Sequence, residues 1–513
     1  MVRRPQVPHL TRLARGAALA LAAGLLWACA GPESEPSQPN LIYILADDLG
    51  YGDIGAYGQE KIETPNLDRL AAGGLVFTQH YAGSTVCAPS RAVLMTGRHT
   101  GHVQIRGNYE LGGFRDEEER GQMPLDQDYV TVAEMLRDAG YRTGLVGKWG
   151  LGGPGSDGVP TRHGFDYFFG YLDQKQAHNY YPTHLWRNGE RVALDNDFFI
   201  PHAAMAGTSE RAEDYRQYMG NDYAPDLLIA DALDFIEDAK DGPFFLYYAP
   251  TIPHSALQVP DAELARYEGR WDEIPLNDGG YTPHPKPRAA RAAMITVLDS
   301  DIGKIVAQLE RLGLAENTLI VFTSDNGPAP EGGQDVDFFN ASGGLRGIKR
   351  DLYEGGIRVP MIAHWPSVIA GGRHTDHISA FWDVLPTFAE LAGAVPPEDI
   401  DGISFAPAVT GQGVQKTHAF LYWEFHGERP FPAQAVRRGD WKAVRPQPKG
   451  YDPAAPIELY DLAADPGETR DVAEEHPAVV AEMREILDAA RTPSPYDGFN
   501  FDPGDRPRVT PTP

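Results

Sequence analysis

Cys87 stands in the run Cys87-Ala88-Pro89-Ser90-Arg91, and Thr96-Gly97 follows one helical stretch later. A lone cysteine usually serves as a small buried hydrophobe. Here a proline, a serine and an arginine accompany it at fixed offsets, which asks for a chemical reason. Two other runs carry hard oxygen donors, Asp47-Asp48 and Asp325-Asn326-Gly327. Taken singly, a pair of aspartates after a strand is a cap or turn, and Asp-Asn-Gly is a turn. Taken together, with residue 87 as a fifth donor, they form a set suited to one divalent cation. No His or Cys cluster goes with them, so zinc is disfavoured and a hard ion is expected.

These residues need elements that bring them together. Short apolar runs alternate with helical patterns along the chain, which implies an α/β domain. Residues 41–46 read as a buried strand that ends in Asp47-Asp48, and residues 142–146 as one that ends in Gly147-Lys148-Trp149. Residues 244–249 precede Pro253-His254, and residues 319–323 run into Ser324-Asp325-Asn326-Gly327. Open α/β sheets collect ligands at the carboxyl ends of their strands, so four such ends would assemble one site. Thr64-Pro65 starts a helix that stops at Gly73-Gly74, and Thr131 starts another that stops at Gly140. Met294, Leu298, Ile302, Ile305 and Leu309 recur at helical spacing in a long helix over 289–312.

The Cys-x-Pro-Ser-Arg run with its downstream Thr-Gly resembles the signature of the type I sulfatases, members of the alkaline-phosphatase-like superfamily. The resemblance extends from Asn40 to about Val472 and includes Asp401-Gly402-Ile403-Ser404 and Glu458-Leu459-Tyr460-Asp461-Leu462. It implies that a maturation enzyme oxidises Cys87 to Cα-formylglycine, and that the cation is calcium rather than magnesium. The hydrated aldehyde would carry two hydroxyls. One, activated by the cation, would attack the sulfur of a sulfate monoester, and the other would let the intermediate collapse and expel sulfate. Lys148 and Lys349 resemble the two sulfate-clamping lysines, and His254 the histidine near the leaving oxygen. Arg91, one turn after Cys87, would bond the hydrate and the metal-facing carboxylates. His254 or Lys349 would protonate the leaving alcohol. Arg346 and Arg350 read as solvated charges.

One position departs from the pattern. The family run around Lys148 usually carries a histidine two residues on, and this chain has Gly150. Residues 173–186 hold His178, Asn179, Tyr180, Tyr181, His184 and Trp186, a composition suited to a sugar-facing loop. His178 is the candidate substitute base or substrate contact, with His102 a weaker one.

After about residue 400 the pattern changes. Residues 420–425, 434–437, 441–444 and 458–461 read as short, half-buried strands of an antiparallel sheet, closed by an amphipathic helix over 472–490. The Pro/Asp-rich end from Thr492 reads as a loose tail. The expected fold is therefore a large, mixed, mostly parallel sheet flanked by helices over 40–400, with a smaller antiparallel sheet plus helix over 401–513.

The N-terminus has Arg3, Arg4, Arg12 and Arg15 before an apolar run over 16–27, the layout of a secretion leader too short to span a bilayer. It ends Leu26-Trp27-Ala28-Cys29, which resembles a bacterial lipobox. That gives a leader over 1–29 and a polar tether over 30–39, and places the protein as a periplasmic or cell-envelope lipoprotein touching membrane through its lipid alone. With only two cysteines in 513 residues, and one of them Cys29, no disulfide framework supports the fold. The net charge of −27 argues against nucleic acid as a partner. The expected substrate is a sulfated sugar or glycan. A phosphonate or phosphate monoester hydrolase on the same fold is the alternative, and a non-catalytic glycan-binding protein a third reading.

Overall fold

The central strand, Asn40–Ala46 (β1), is buried at every residue, and so is Thr318–Ser324 (β8) beside it. A strand covered on both faces favours apolar residues on both, which is why residues 41–46 and 319–322 read as hydrophobic runs. The computed structural model describes residues 1–2, 38–202, 211–276, 280–427, 433–446 and 452–501. Residues 3–37, which hold the rest of the leader, Cys29 and most of the tether, lie outside them. The described residues from Pro39 onward form one compact unit.

The remaining strands of the large sheet are Leu75–Tyr81 (β2), Arg142–Lys148 (β3), Tyr167–Tyr171 (β4), His184–Arg187 (β5), Glu190–Ala193 (β6), Phe244–Ala249 (β7), Arg358–His364 (β9), Arg373–Thr375 (β10) and Ser379–Ala380 (β11). They make an 11-stranded sheet in the order β10-β2-β9-β8-β1-β7-β3-β4-β5-β6, with β11 also on β2. The stretch β8-β1-β7-β3-β4 is parallel throughout. Strand β9 runs against both β8 and β2, so β2 points the same way as the parallel block. These strands therefore all end at one edge of the sheet.

Alternate side chains feed two cores. Leu41, Tyr43 and Leu45 pack on one face with the helices Cys87–Thr96 (α2) and Val132–Asp138 (α3). Ile42, Ile44 and Ala46 pack on the other with Pro65–Ala72 (α1), Ala224–Ala239 (α4) and Pro287–Leu312 (α5). Helix α3 begins as its sequence dictates. The Thr131 hydroxyl accepts the Glu134 N–H at 3.1 Å, and the Glu134 carboxylate accepts the Thr131 N–H at 2.8 Å. Helix α5 presents Met294, Leu298, Ile302, Ile305 and Leu309 to the sheet and stops at Gly313, whose φ of 72° suits a residue without Cβ.

Strands Leu421–Phe425 (β12), Ala433–Arg438 (β13), Trp441–Arg445 (β14) and Glu458–Asp461 (β15) form a separate antiparallel 4-stranded sheet. Tyr422, Val436 and Leu459 of this sheet pack under the helix Pro477–Ala489, while Leu421, Trp423 and Tyr460 join the core that contains Leu41. The end of the chain corrects the expected loose tail from Thr492. Ser494 and Phe499 are buried, the Thr492 carbonyl accepts from Arg106 at 2.9 Å, and the Gln104 amide donates to the Tyr496 hydroxyl. Residues 502–513 lie outside the described residues. Among the described residues no helix is long and apolar enough to cross a membrane.

Candidate active site

Register places the first two groups of the site. Ala46 lies opposite Ser324 in the β1–β8 ladder, so Asp47 and Asp325 leave the sheet side by side. The Asp325 N–H donates to the Ala46 carbonyl, and the Asp47 N–H to the carbonyl of Ile252 in the loop that carries His254. Asp48 turns back with φ 66°, a left-handed conformation that aspartate tolerates better than most residues, and its N–H reaches the Asp325 carboxylate at 3.1 Å. Lys148 is the last residue of β3. Cys87 opens α2, so the positive end of the helix dipole lies at the site, and the Ala88 N–H in its first turn donates to Asn108 Oδ1 at 3.3 Å. Lys349 precedes β9, which starts at this edge because it runs antiparallel.

The charged groups interlock. Lys148 Nζ lies 2.7 Å from Asp47 Oδ2, and Lys349 Nζ 2.8 Å from Asp48. Arg91 donates to Asp325 Oδ2 through Nε at 3.1 Å and Nη2 at 3.0 Å, and to the Lys148 carbonyl at 2.6 Å. Asn326 Nδ2 donates to Asp48 Oδ1 at 2.8 Å. All of these side chains are buried. Burial works to raise Asp47, but Lys148, His254 and Arg91 outweigh it and hold the carboxyl down. Burial and the Asp47 charge push Asp325 up. Burial opposes the charge on Lys349, and Asp48 more than offsets it, so this ammonium is held strongly protonated. The Cys87 thiol is pushed up by burial despite both lysines. As a plain cysteine it would be a protonated thiol and a poor nucleophile.

The donor set fits a hard cation. Asp47 Oδ1 and Asn326 Oδ1 are buried oxygens without a hydrogen-bond partner, which is costly unless something positive sits against them. Ligand atoms of Asp47, Asp325 and Cys87 lie within 4.8 Å of one another. Asp48 brings a further carboxylate, and oxygen donors of this kind suit calcium or magnesium.

A cleft of about 450 Å³ opens over these groups, lined by Cys87, Gln174, His178, His254, Tyr281 and Lys349. The His178 and His254 rings stack with centroids 4.5 Å apart, and His178 Nδ1 pairs with His202 Nε2 at 2.8 Å. Burial drives both His178 and His254 well below the ordinary histidine range, so both rings are neutral near pH 7. His254 Nδ1 faces the Ser255 carbonyl, which only accepts, so that nitrogen carries the proton and Nε2 bears the lone pair. Nε2 lies 3.4 Å from Asp48.

Asp47, Asp48, Cys87, Arg91, Lys148, His254, Asp325, Asn326 and Lys349 are thus brought to one place, with His178 above them. Most of the 173–186 loop is not. Tyr180 donates to the carbonyls of Thr251 and His254, while His184 and Trp186 both bond Glu119. These polar tips find partners inside the protein, so the rings pack as structure and not as a sugar platform. His102 pairs with Asp401 at 2.9 Å, and Arg346 lies over Tyr353. Arg350, expected to be solvated, lines the cleft and pairs with Glu331. Motif reading passed over His202, Tyr281 and Gln174, because none stands in a spacing that carries chemistry.

Residues 39–394 match the family model "Sulfatase", and residues 347–492 match "N-sulphoglucosamine sulphohydrolase, C-terminal". The chain belongs to the sulfatase family. Human arylsulfatase A is 36% identical over 521 residues, spanning 94% of this sulfatase and 93% of the relative. The N-acetylgalactosamine-6-sulfatase of Canis lupus familiaris is 32% identical over 436 residues, 80% and 73% of the two chains. Among solved structures, Ps i-CgsB in complex with k-i-k-neocarrahexaose superposes with a TM-score of 0.71 at 29% identity, over 88% of this chain and 92% of the other. Phosphonate monoester hydrolase of Agrobacterium radiobacter shares the fold, with a TM-score of 0.60 at 22% identity over 88% and 96%. This sulfatase is an enzyme that hydrolyses sulfate esters.

Proposed function

We propose that the esters are those of sulfated carbohydrates, and that residue 87 acts as formylglycine beside one divalent cation, calcium in preference to magnesium. The observation that carries this reading is the pairing of two orphaned buried oxygens, Asp47 Oδ1 and Asn326 Oδ1, with three cationic side chains around residue 87. Asp47, Asp48, Asp325 and Asn326, with residue 87, would hold the cation, which supplies charge that lowers the pKa of a bound hydroxyl. Three carboxylates, Asp47, Asp48 and Asp325, face the three cationic side chains of Arg91, Lys148 and Lys349, so a divalent ion would leave the floor of the cleft positive. That resolves how a chain of net charge −27 receives an anion.

The protein groups divide the remaining work. Lys148 and Lys349 neutralise sulfate oxygens, and Arg91 holds Asp325 and the end of β3 in place. Lys349 is the better proton donor to the leaving alcohol, since Asp48 keeps it charged while His254 presents a lone pair at Nε2. His254, or His178 stacked on it, takes up a proton in the return step where family members carry a histidine at the position of Gly150. The sugar reading is supported by what the relatives are named for or were solved with, and by a cleft large enough for a sugar ring. Before residue 40, the leader pattern supports export as a bacterial envelope lipoprotein through Cys29, with a formylglycine-generating enzyme as maturation partner.

The test compares turnover of an aryl sulfate with that of the matching aryl phosphate. Faster sulfate cleavage is expected, because two lysines and one cation suit a monoanion. Faster phosphate cleavage would favour the phosphonate or phosphate monoester reading.

A further inference from the structure

The β3–β4 ladder pairs Gly147 with Gly170 and Lys148 with Tyr171, and it continues past the strand ends as the Gly150 N–H donates to the Leu172 carbonyl at 3.3 Å. This brings Gln174, just after β4, over Gly150. Asp173 fixes the turn, since its carboxylate accepts the N–H groups of Gly121 and Lys175, each at 2.7 Å. Gly150 has φ 74°, and a Cβ there would lie 3.3 Å from Gln174 Oε1 and 3.9 Å from the Lys148 side chain. The carboxamide oxygen of Gln174 therefore reaches into the space that a side chain at 150 would enter.

That oxygen is buried and has no hydrogen-bond partner, the residue is only 1% exposed, and it lines the cleft with Cys87, His178 and His254. A buried acceptor left unmatched is destabilising, and it is tolerated here where the ester must be held. We propose that Gln174 is a substrate-centre acceptor, receiving a hydroxyl hydrogen at the floor of the cleft. The hydroxyl belongs either to the sugar ring beside the ester or to the hydrated residue 87. This rests on the sulfate-ester reading above, yet it concerns a residue that the motifs do not mark. An amide does not take a proton at neutral pH, so Gln174 orients the hydroxyl and leaves proton uptake to a histidine.

The experiment uses the full chain with Gln174→Leu and Gln174→Glu, assayed on 4-nitrophenyl sulfate, which has no other hydroxyl, and on the monosulfated hexose that the parent hydrolyses fastest. Gln174→Leu should lower kcat/KM about tenfold, the size of one hydrogen bond, with the melting temperature unchanged or raised because an unmatched acceptor is gone. Gln174→Glu keeps an acceptor and should recover part of the loss, its added charge beside the sulfate limiting the recovery. A loss on both substrates assigns the hydroxyl to residue 87, and a loss on the hexose alone assigns it to the sugar. Unchanged kcat/KM for Gln174→Leu on both substrates would overturn the proposal. So would a loss that comes with a lower melting temperature and is not relieved by Gln174→Glu. Failure of the sulfate-ester reading would look different, as a parent enzyme that turns over neither substrate.

Discussion

The imidazoles of His178 and His254 lie nearly parallel, 16° apart in plane, with their centroids 4.5 Å apart. One comes from the loop after β4 and the other from the loop after β7, two strands separated only by β3. Burial lowers the basicity of both rings, and the charge on His254 would lower His178 further. His178→Ala should therefore cut kcat/KM by roughly a hundredfold to ten-thousandfold, the range of a lost proton-transfer group. Steady-state kinetics on an aryl sulfate checks this. Unchanged kcat and KM would remove His178 from the chemistry.

Removal of the cation should be read first as stability. A ligand bound only by the folded state stabilises it by about 2.7 kcal/mol at a hundredfold excess over Kd. Adding calcium after chelation should raise the melting temperature, and Asp325→Ala should abolish both that response and activity. Arg91 would lose, in the same variant, the carboxylate oxygen that both its Nε and Nη2 bond.

Lys148 illustrates the cost of a buried charge. Lys148→Met leaves Asp47, wholly buried, without its partner at 2.7 Å. Breaking one side of such a pair costs about 3–5 kcal/mol, so the unfolding midpoint in denaturant should drop clearly. Lys148→Met/Asp47→Asn should recover part of that loss while remaining inactive.

His80 gives a pH signature away from the site. It is fully buried, bonds Ser379 through Nδ1, and is driven down to about 3 by burial and by His377. The unfolded chain takes up this proton near pH 6.5 and the folded chain does not. The stability supplied by a neutral His80 is therefore complete above about pH 6.5 and is lost as pH falls, by up to about 1.4 kcal/mol per pH unit. His80→Asn should be less stable than the parent at pH 7.5, and the gap should narrow between pH 6.5 and 5. Denaturant curves at three pH values measure it, and a constant gap would contradict the assignment.

How much of this was legible in the sequence follows from burial. Strands β1, β3, β7 and β8 were readable to within two residues because both faces are covered, and their polar ends marked the site. Strand β2 was not, since Thr78, Gln79 and His80 interrupt its apolar run where its register with β9 shifts. The aromatic loop misled because its partner Glu119 lies 65 residues from His184 in sequence, so nothing local says that His184 and Trp186 are satisfied inside. The packing of Thr492 on Arg106 depends on a contact 386 residues apart, and a Pro-rich composition hides it. Gln174 has no motif at all, and only the β3–β4 register places it over Gly150.

The account depends on residue 87 being an aldehyde rather than a thiol, so the direct measurement is the mass of the peptide that contains it, taken from catalytically active protein. That peptide should be lighter than its cysteine form by the exchange of hydrogen sulfide for one oxygen atom. Full activity from protein whose residue 87 is an unmodified thiol would contradict the account.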